Sequence, residues 1–426
     1  MTGQIKCIFQ SQFILTENLN KFYAGYVMEI KGTKTTAICY AGNIEEEAVE
    51  QIRQMCSQDF TEGCEVRIMP DVHVGKGCTI GTTMTVKDKV VPNVVGVDIG
   101  CGMYTVNLGK QALDLPRFDE ACHFVPSGRD IWEGRQERFD LTKLKCYRSL
   151  KETRRLEKSL GSLGGGNHFI EIDCAADGTQ YLVIHTGSRN LGKQVAEFYQ
   201  QLAVDLHRGK EAYFLKRDAL IAEYKAAGRR SEIHAVLKEL QWEPKTLEIP
   251  MELCYLYGSY VKDYLHDVAI CQQFACRNRE LLAEIILNCT GIAGTDGFHT
   301  IHNYIDVDEM ILRKGAIAAH KGEQVLIPIN MKEGSILAVG KGNPQWNYSA
   351  PHGAGRAMSR TEAREKVSME EYRKTMQGIY TTSVNEETLD ESPFVYKPLS
   401  DILPNLQETV EIRDILKPIY NFKASK

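Results

Sequence analysis

Residues 94–103 read VVGVDIGCGM, an apolar run followed at once by a carboxylate, a thiol and several glycines. The apolar run predicts a buried strand, and the glycines predict a tight turn at its end. A carboxylate in such a place is costly unless a positive group balances it. Asp98 and Cys101 therefore indicate a nearby cation. A small buried thiol beside an aspartate that caps the turn would produce the same pattern.

The composition is that of a globular protein and narrows the classes of function. The 426 residues are 43% hydrophobic and 25% charged, and the net charge of −5 argues against a protein that coats nucleic acid through bulk positive charge. No run approaches the ~18 apolar residues of a membrane span, and the N-terminus lacks a signal-peptide pattern. Thirteen cysteines without a C-x-x-C pair favour reduced thiols over disulfides or a zinc knuckle. We therefore expect a cytoplasmic protein.

Blocks of strand-like sequence on either side of a helical block predict an α+β fold. Apolar spacing predicts helices over 45–56, 193–208, 211–227 and 251–287, and strands over 168–172, 181–185 and, in short pieces, 299–340. The polar stretch 129–159 is expected to form surface helices. No linker or internal repeat divides the chain, so we predict one domain over residues 1–426, in which residues 1–65 carry little information.

Three histidines lie where apolar strands meet glycine-rich turns, a common setting for functional sites. They are His168 after GSLGGGN, His185 at the end of YLVIH and His302 in FHTIHNY. If they converge with Asp98 and Cys101, the set is too rich for one tetrahedral zinc but suits two cations that share the thiolate. The mixed ligands leave Mn²⁺, Zn²⁺, Co²⁺ and Fe²⁺ open. Taken alone, each histidine is more often an ordinary half-buried side chain.

Three glycine-rich loops that carry Asn or Arg indicate phosphate binding. They are GGGN (164–167), TGSRN (186–190) and HGAGRAMSR (352–360). Exposed backbone N–H groups and arginine side chains favour tetrahedral oxyanions. The candidate cations are Arg189, Arg313, Lys314, Arg356 and Arg360. Plain turn-forming glycines would also explain each loop, since neither a Rossmann fingerprint nor a Walker A sequence is present.

His352 is surplus to the ligand count and lies in a glycine turn of its own, APHGAGR. A neutral imidazole can attack an activated phosphate and form a phosphoramidate. His352 is therefore a candidate nucleophile, and the competing roles are a sixth metal ligand or a general acid.

Taken together, these segments resemble the RtcB family of RNA ligases. MPDVHVGKG, VGVDIGCGM, GGGNHFIE, HTGSRN, HNY, RKGA and HGAGRAMSR occur in this order between Met69 and Lys423. The resemblance implies one α+β domain with mixed and antiparallel sheets, a central helical block and a deep cleft for metal and nucleotide. It implies ligation of RNA 2′,3′-cyclic phosphate or 3′-phosphate ends to 5′-hydroxyl ends, with GTP and two Mn²⁺, in RNA repair or tRNA splicing. An archease-type activator protein is a possible partner, and the oligomeric state stays open.

The resemblance also implies roles for individual residues. His352 would be guanylylated, one Mn²⁺ would bind Asp98, Cys101 and His168, and the other would bind Cys101, His185 and His302. The guanylate contacts would be Asn167, His168, Phe169, Ile170, Glu171, His302, Asn303, Pro328, Ile329, Asn330, Met331, Ser335, His352, Gly353, Ala354, Gly355 and Lys423. Contacts to RNA phosphate would be Arg189, Lys314, Arg356 and Arg360.

The chain departs from the family's usual sequence at several points, two of which lie in loops near the predicted site. Members commonly have P-G-S-M where this chain has Pro328-Ile329-Asn330-Met331, and Pro351 precedes the candidate nucleophile. Ile329 lacks the conformational freedom of glycine, so we expect this loop to limit nucleotide use. Two alternatives retain the same metal ligands. One is a dinuclear metallophosphoesterase that needs no nucleotide, and the other is a non-catalytic protein that binds RNA ends.

Overall fold

A computed structural model describes residues 27–295 and 297–424. In chain order its strands are β1 (Met28–Lys31), β2 (Thr36–Cys39), β3 (Val66–His73), β4 (Ile80–Thr85), β5 (Lys89–Val90), β6 (Gly102–Gly109), β7 (Phe169–Cys174), β8 (Gln180–Thr186), β9 (Leu256–Tyr257), β10 (Gly297–Ile301), β11 (Asn303–Asp306), β12 (Ile311–Lys314), β13 (Ala316–Ala318), β14 (Gln324–Asn330), β15 (Gly334–Gly340), β16 (Ser349–Pro351) and β17 (Val410–Lys423).

The helices of the described residues lie mostly in the middle of the chain. They are α1 (Glu46–Met55), α2 (Pro92–Val95), α3 (Leu115–Phe124), α4 (Thr153–Lys158), α5 (Arg189–His207), α6 (Lys210–Ala226), α7 (Ile233–Glu239), α8 (Ser259–Thr290), α9 (Arg360–Lys366), α10 (Met369–Thr375) and α11 (Leu399–Leu406). Among the described residues, no helix is long and apolar enough to cross a membrane.

The strands form two large sheets and two small ones. The first large sheet has the order β1-β2-β3-β4-β12-β11, and the second has the order β10-β6-β8-β7-β17-β15-β14. The small sheets pair β13 with β16 and β5 with β9. Apart from the parallel pair β2 and β3, the paired strands of both large sheets are antiparallel. The predicted α+β class is confirmed, since the sheets are not built from βαβ units.

The long helix α8 packs against strands of both large sheets, β8 and β6 of the second and β11 of the first. Its buried face carries apolar side chains such as Val268, Phe274 and Leu282, and it ends at Gly291 with a φ of 74°. Glycine is favoured at such a helix end because the left-handed conformation costs it little. Compared with the predicted helix over 251–287, α8 starts later and ends slightly later, and Met251–Leu253 forms a separate 3₁₀ turn. The other predicted helices and strands outside 94–97 and 129–159 agree within a few residues.

Val94 and Val95 of the apolar run that opens VVGVDIGCGM are buried, but Val97 is 40% exposed and the run is not a strand, so the prediction of a buried strand was wrong. Pro92–Val95 forms the short helix α2, and Gly96 follows it with a φ of 105°. Proline favours the first turn of a helix, and a positive φ interrupts an extended path. The strand β6 starts only at Gly102. Asp98 and Cys101 therefore lie on a turn that leads into a strand rather than out of one.

The polar stretch 129–159 also differs from expectation. Its only α-helix is the six-residue α4, and the rest is loop with 3₁₀ turns at Leu141–Lys143 and Tyr147–Ser149. Side chains anchor this loop at separate points, as where Trp132 Nε1 donates to the Gly161 carbonyl at 2.9 Å. The segment lacks an apolar face at helical spacing, and without one a long helix has nothing to bury.

Candidate active site

Strand register brings the ends of neighbouring strands in the second sheet to one point. Gly102 at the start of β6 pairs with Ile301 at the end of β10 and with Thr186 at the end of β8. Each of these residues is next in sequence to a predicted metal ligand, namely Cys101, His302 and His185. Strand β7 pairs with β8 and begins directly after His168. Histidines far apart in the chain therefore meet because their strands are hydrogen-bonded neighbours.

The five predicted ligands form two overlapping groups. Cys101 Sγ lies 3.4 Å from His185 Nε2 and 3.5 Å from His168 Nε2. His185 Nε2 is 3.4 Å from His302 Nε2, and His168 Nε2 is 3.1 Å from Asp98 Oδ2. One group is Asp98, Cys101 and His168, the other is Cys101, His185 and His302, and the ligand atoms of each lie within 4.8 Å of one another. The thiol is common to both groups.

The chemistry of these atoms fits cations. His168 Nδ1 lies 3.0 Å from the Leu163 carbonyl oxygen, and His185 Nδ1 lies 3.1 Å from the Asn167 carbonyl oxygen. A carbonyl only accepts, so each Nδ1 carries the proton and each Nε2 presents a lone pair. Both lone pairs face the Cys101 sulfur, that of His168 at 3.5 Å and that of His185 at 3.4 Å. Such a group of acceptors is unfavourable unless a cation lies between them.

The ionisation of the ligands agrees with this reading. Burial, reinforced by neighbouring histidines, lowers the pKa of His185 and His302 far below the usual value, so both rings stay neutral. Burial and then the charge of Asp98 raise the pKa of the Cys101 thiol, which needs a cation beside it to ionise. Burial opposes ionisation of Asp98, but the hydrogen bond and charge of His168, the hydrogen bond with Cys101 and the charge of Arg189 together outweigh burial, and the pKa of Asp98 is lowered.

Two buried polar residues of α8 fasten the loops that carry the ligands. Arg279 Nη1 donates to the carbonyl oxygens of Gly100 at 2.7 Å and Thr186 at 2.8 Å. Asn278 accepts from the Gly161 N–H at 2.7 Å and donates to the Gly187 carbonyl at 3.1 Å. Sequence reasoning missed both residues. The sequence does contain one indication of their role: Asn278 and Arg279 lie on the apolar face of a predicted long helix, where an unpaired charge would be costly.

His352 lies beside the second ligand group, with its ring centroid 5.0 Å from that of His302. Its Nδ1 is 2.7 Å from Asp71 Oδ2, and its backbone N–H donates to the same oxygen at 3.1 Å. The carboxylate therefore keeps the proton on Nδ1 and leaves the Nε2 lone pair available. Asp71 belongs to the MPDVH motif, but its role cannot be predicted locally because its partner lies 281 residues further along the chain.

His352, together with His185 and His302 of the second ligand group, borders a cavity of about 750 Å³. That volume is in the range of small-molecule sites. The predicted nucleotide contacts on its wall are Asn167, Phe169, Glu171, His302, Asn303, Pro328, Ile329, Asn330, Met331, His352, Gly353, Ala354, Gly355 and Lys423. Within the described residues, Ile170 and Ser335 are buried and do not line the cavity, so their contacts stay predictions, and His168 belongs to the metal group. Tyr396 and Asn421 also line the cavity and were not predicted.

Ile329 does not require the conformational freedom of glycine. It belongs to β14, is 3% exposed and packs in a core cluster with Ile317 and Ile327. Its φ is not among the positive values of the described residues. A branched apolar residue suits a buried strand position. The reason for expecting this loop to limit nucleotide use is therefore removed.

Two of the four predicted phosphate contacts are held by backbone and side-chain acceptors away from the cavity. Lys314 Nζ donates to the carbonyl oxygens of Lys76, Cys78 and Asn93. Arg189 donates to Ser162 Oγ and to the Gly128 carbonyl, both at 3.0 Å, and burial lowers its pKa to about 10. Neither side chain lines the cavity in the described part of the chain. This geometry gives a positioning role to both and does not support the predicted phosphate contact.

Arg356 and Arg360 do line the cavity, but they are paired with buried carboxylates. Arg360 Nη1 is 2.7 Å from both Asp390 Oδ2 and Glu391 Oε1, and Arg356 Nη1 is 3.5 Å from Glu391 Oε1. Glu391 also accepts from Tyr396 Oη at 2.5 Å and lies 3.3 Å from Lys423 Nζ. A phosphate at this edge of the cavity would share these cations with an internal acid.

Comparison with known proteins gives a consistent set of relatives. The sequence matches the family described as "tRNA-splicing ligase RtcB" over residues 51–129 and 133–424. It is 28% identical over 422 aligned residues to RNA-splicing ligase RtcB of Escherichia coli (strain K12), covering 89% of this chain and 95% of that protein. It is 26% identical over 420 aligned residues to tRNA-splicing ligase RtcB of Aeropyrum pernix, covering 79% of this chain and 82% of that protein.

Proposed function

This chain belongs to the RtcB family, and from that premise we propose that it is an RNA ligase that uses GTP and two Mn²⁺ ions. It joins RNA 3′-phosphate ends, or 2′,3′-cyclic phosphate ends after water has opened the ring, to 5′-hydroxyl ends. One observation carries the proposal. Two ligand groups share Cys101, and beside them lies the imidazole of His352, whose Nδ1 proton is held by Asp71. Of these groups, His185, His302 and His352 line one cavity of nucleotide size.

The first step is attack by His352 Nε2 on the α-phosphorus of GTP. A bond forms between Nε2 and phosphorus, the bond from the α-phosphorus to the β-bridging oxygen breaks, and pyrophosphate leaves. Positive charge develops on the ring as the bond forms. Asp71 stabilises that charge through its 2.7 Å contact with Nδ1. The buried carboxylate thus activates the nucleophile without taking part in bond formation.

Two transfers complete the reaction. An oxygen of the RNA 3′-phosphate attacks the phosphorus on His352, and the nitrogen leaves with its electron pair, which regenerates the neutral ring. The 5′-hydroxyl then attacks the RNA 3′-phosphorus, GMP leaves, and the hydroxyl proton passes to solvent. Arg356 and Arg360 lie at the edge of the cavity, where the RNA phosphate must approach His352.

Asp98, Cys101 and His168 would hold one Mn²⁺, and Cys101, His185 and His302 the other. Bound Mn²⁺ would polarise phosphoryl oxygens and offset charge in the phosphoryl transfers. The chain's own contribution is a rigid setting for the ligands. Arg279 anchors the turn that bears Cys101, and the Nδ1 hydrogen bonds of His168 and His185 orient their rings.

Three polar residues at one end of the cavity suit a guanine base. Glu171, Asn421 and Lys423 all lie on the wall there, on the paired strands β7 and β17. A carboxylate accepts from the N1–H and the 2-amino group of guanine, and an ammonium donates to O6. Phe169 lies two residues before Glu171 on the same face of β7, and its ring provides an apolar surface for the base.

We propose that this ligase acts in RNA repair or tRNA splicing, in the cytoplasm, and that an archease-type activator is its partner.

The proposed function is tested by incubating the protein with Mn²⁺, GTP and two short RNAs, one with a 3′-phosphate and one with a 5′-hydroxyl. We expect a joined product in which the junction phosphate comes from the 3′-phosphate strand. The product should require GTP and disappear in His352→Ala.

The same assay separates the alternatives. Release of inorganic phosphate without GTP and without joining would identify a dinuclear phosphoesterase. Tight binding of the 3′-phosphate RNA with no product, in protein that holds both metal ions, would identify a non-catalytic protein that binds RNA ends.

A further inference from the structure

A second histidine of the cavity wall has no part in the reaction described above. His73 is the last residue of β3 and lines the cavity together with His352. Its Nδ1 lies 3.0 Å from the carbonyl oxygen of Asp71. A carbonyl only accepts, so Nδ1 carries the proton and Nε2 presents a lone pair. Among the described residues, Nε2 of His73 has no hydrogen-bond partner.

Asp71 orients both of these histidines. Its carboxylate holds Nδ1 of His352 at 2.7 Å, and its main-chain carbonyl holds Nδ1 of His73. Both imidazoles therefore present Nε2, and one buried residue fixes both rings. Two rings held in this way suit a divided task, in which one attacks phosphorus and the other moves a proton.

Strand register places His73 close to His352. His73 pairs with Ile80 across β3 and β4. Gly315 fits between Ile80 and His352, since a Cβ on this glycine would clash with Ile80 and lie 3.3 Å from His352 Cε1. A cross-strand neighbour of His73 thus lies beside the ring that carries GMP in the proposed reaction.

His73 belongs to a different wall of the cavity from the proposed guanine contacts. Strand β3 is part of the first large sheet, whereas Glu171 and Lys423 lie on β7 and β17 of the second. In the joining step, the oxygen of the 5′-hydroxyl and the GMP that leaves must lie on opposite sides of the RNA 3′-phosphorus. A wall without guanine contacts is therefore suited to receive the 5′-hydroxyl end.

Of the three transfers that start from GTP, one requires a proton to be removed from the nucleophile. His352 attacks GTP through a lone pair, and the RNA 3′-phosphate attacks as an anion. The 5′-hydroxyl must lose its proton as its oxygen bonds to phosphorus, because a hydroxyl is a weak nucleophile while it keeps that proton. The joining step therefore calls for a general base.

We propose that His73 is the general base of the joining step. Its Nε2 takes the proton of the 5′-hydroxyl while the hydroxyl oxygen bonds to the RNA 3′-phosphorus. The bond between that phosphorus and the oxygen of GMP breaks, GMP leaves with the electron pair, and His73 then releases the proton to solvent. The inference rests on the proposed function, because it takes a 5′-hydroxyl RNA end as the second substrate.

The surroundings of His73 keep its ring neutral, which is the form that a general base requires. Burial lowers the pKa of His73, and positive charge on His352 or Lys397 lowers it further. The hydrogen bond to the Asp71 carbonyl and the charge of Asp71 oppose this shift without cancelling it. Glu45, just before α1, also lines the cavity. His73 is therefore ready to accept a proton at neutral pH.

The test isolates the joining step with an RNA strand whose 3′-phosphate is already linked to GMP through a pyrophosphate bond. This strand is mixed with a 5′-hydroxyl strand and Mn²⁺-loaded protein, without GTP, and single-turnover joining is followed in wild type and His73→Asn. Asparagine keeps an N–H for the Asp71 carbonyl but has no basic nitrogen. Joining should be slower by about 10²-fold or more in the variant. GMP transfer from GTP to His352, which requires no general base, should slow less than about threefold.

The pH profile and a modified RNA separate proton transfer from positioning. The joining rate of the wild type should be level at neutral pH and fall in acid, as His73 becomes protonated. The rate of His73→Asn should rise about tenfold per pH unit, because hydroxide replaces the missing base. A strand that ends in a 5′-thiol needs no base near pH 9, since an ordinary thiol has a pKa of about 8.5. Wild type and variant should join that strand at rates within about threefold of each other.

His207→Asn is the matched control. Burial also lowers the pKa of His207, but its Nε2 contacts the Tyr255 carbonyl, and in the described part of the chain it does not line the cavity. Its joining rates should match those of the wild type, and all variants should hold the same amount of Mn²⁺ by elemental analysis. Should His73→Asn fail to fold, His73→Gln also lacks a basic nitrogen and takes its place.

Three results would overturn the inference. They are joining by His73→Asn within threefold of the wild type, an equal loss with the hydroxyl and thiol strands, and a loss confined to GMP transfer. Failure of the wild type itself to join either strand while it holds Mn²⁺ would instead refute the proposed function, and the inference with it. Failure of the inference alone therefore leaves wild-type joining intact.

Discussion

Replacing Asp71 by asparagine tests the assignment of His352 as nucleophile. Asp71 is 1% exposed, and its Oδ2 receives both the ring Nδ1–H and the backbone N–H of His352, at 2.7 and 3.1 Å. Asparagine has nearly the same shape, and its Oδ1 can take the place of that oxygen. The variant therefore keeps the ring in place but loses the charge that stabilises the positive ring formed during attack.

The size of the effect follows from that contact. A short charge-assisted hydrogen bond in a buried site stabilises developing charge far more than its neutral counterpart. Loss of general-base or orienting support of this kind typically lowers rates by about 10²- to 10⁴-fold, or about 3–5.5 kcal/mol of barrier. In Asp71→Asn, the rate of GMP transfer from GTP to His352 should therefore be lower by about 10²-fold or more.

The assay is a single turnover with radiolabelled GTP in excess Mn²⁺, quenched at intervals and read as label on denatured protein. GTP affinity, measured separately, should change less than about threefold, because Asp71 is not among the residues that line the cavity. Asp119→Asn is the matched control, since Asp119 is also buried but bonds to Thr382 and Tyr420. A rate within threefold of wild type for Asp71→Asn would refute the role given to the pair.

Three further predictions follow from the metal ligands, the altered loop and the buried acids. Cys101→Ala should lose both metal ions by elemental analysis, because one sulfur serves both groups, whereas His185→Ala should keep ion at the Asp98 group; equal loss in both variants would contradict the shared thiolate. Ile329→Gly should lower the melting temperature, since removal of a buried isoleucine side chain costs about 3–5 kcal/mol, and should not improve GTP affinity; tighter GTP binding would mean that the loop does limit nucleotide use. Although burial opposes it, the charges of Lys423 and Arg360 hold the pKa of Glu391 at about 2 instead of 4.5. Because this pKa is lowered in the folded state, ionised Glu391 stabilises the fold above pH 4.5, and this stabilisation is lost as the pH falls toward about 2. The melting temperature of Glu391→Gln should therefore be lower at neutral pH and fall less across that acid range; parallel curves for the two proteins would contradict this.

The ligands of the candidate site could be predicted because each is marked locally. Asp98, Cys101, His168, His185 and His302 lie beside glycines or at strand ends, where ligand-bearing side chains stand out from an apolar background. Their convergence depends on strand register, which no local pattern contains. The pairing of Gly102 with both Ile301 and Thr186 brings the ligands together.

The residues that support these ligands could not be predicted in the same way. Asp71, Asn278 and Arg279 act through partners between 91 and 281 residues away. The wrong strand at 94–97 arose because an apolar run has the same composition in a buried helix and in a buried strand. Likewise Lys314 and Arg189 carry the charge of phosphate ligands, but burial and the surrounding carbonyl groups direct both inward.

The most direct test of the account is to locate the covalent nucleotide. The protein is incubated with Mn²⁺ and GTP, or with ATP in parallel, and is then digested and analysed by mass spectrometry under alkaline conditions that preserve a phosphoramidate. The account predicts a GMP mass on the peptide that contains His352, formed from GTP, labile to acid and absent in His352→Ala. GMP on another residue, or no adduct in protein that holds both metal ions, would contradict it.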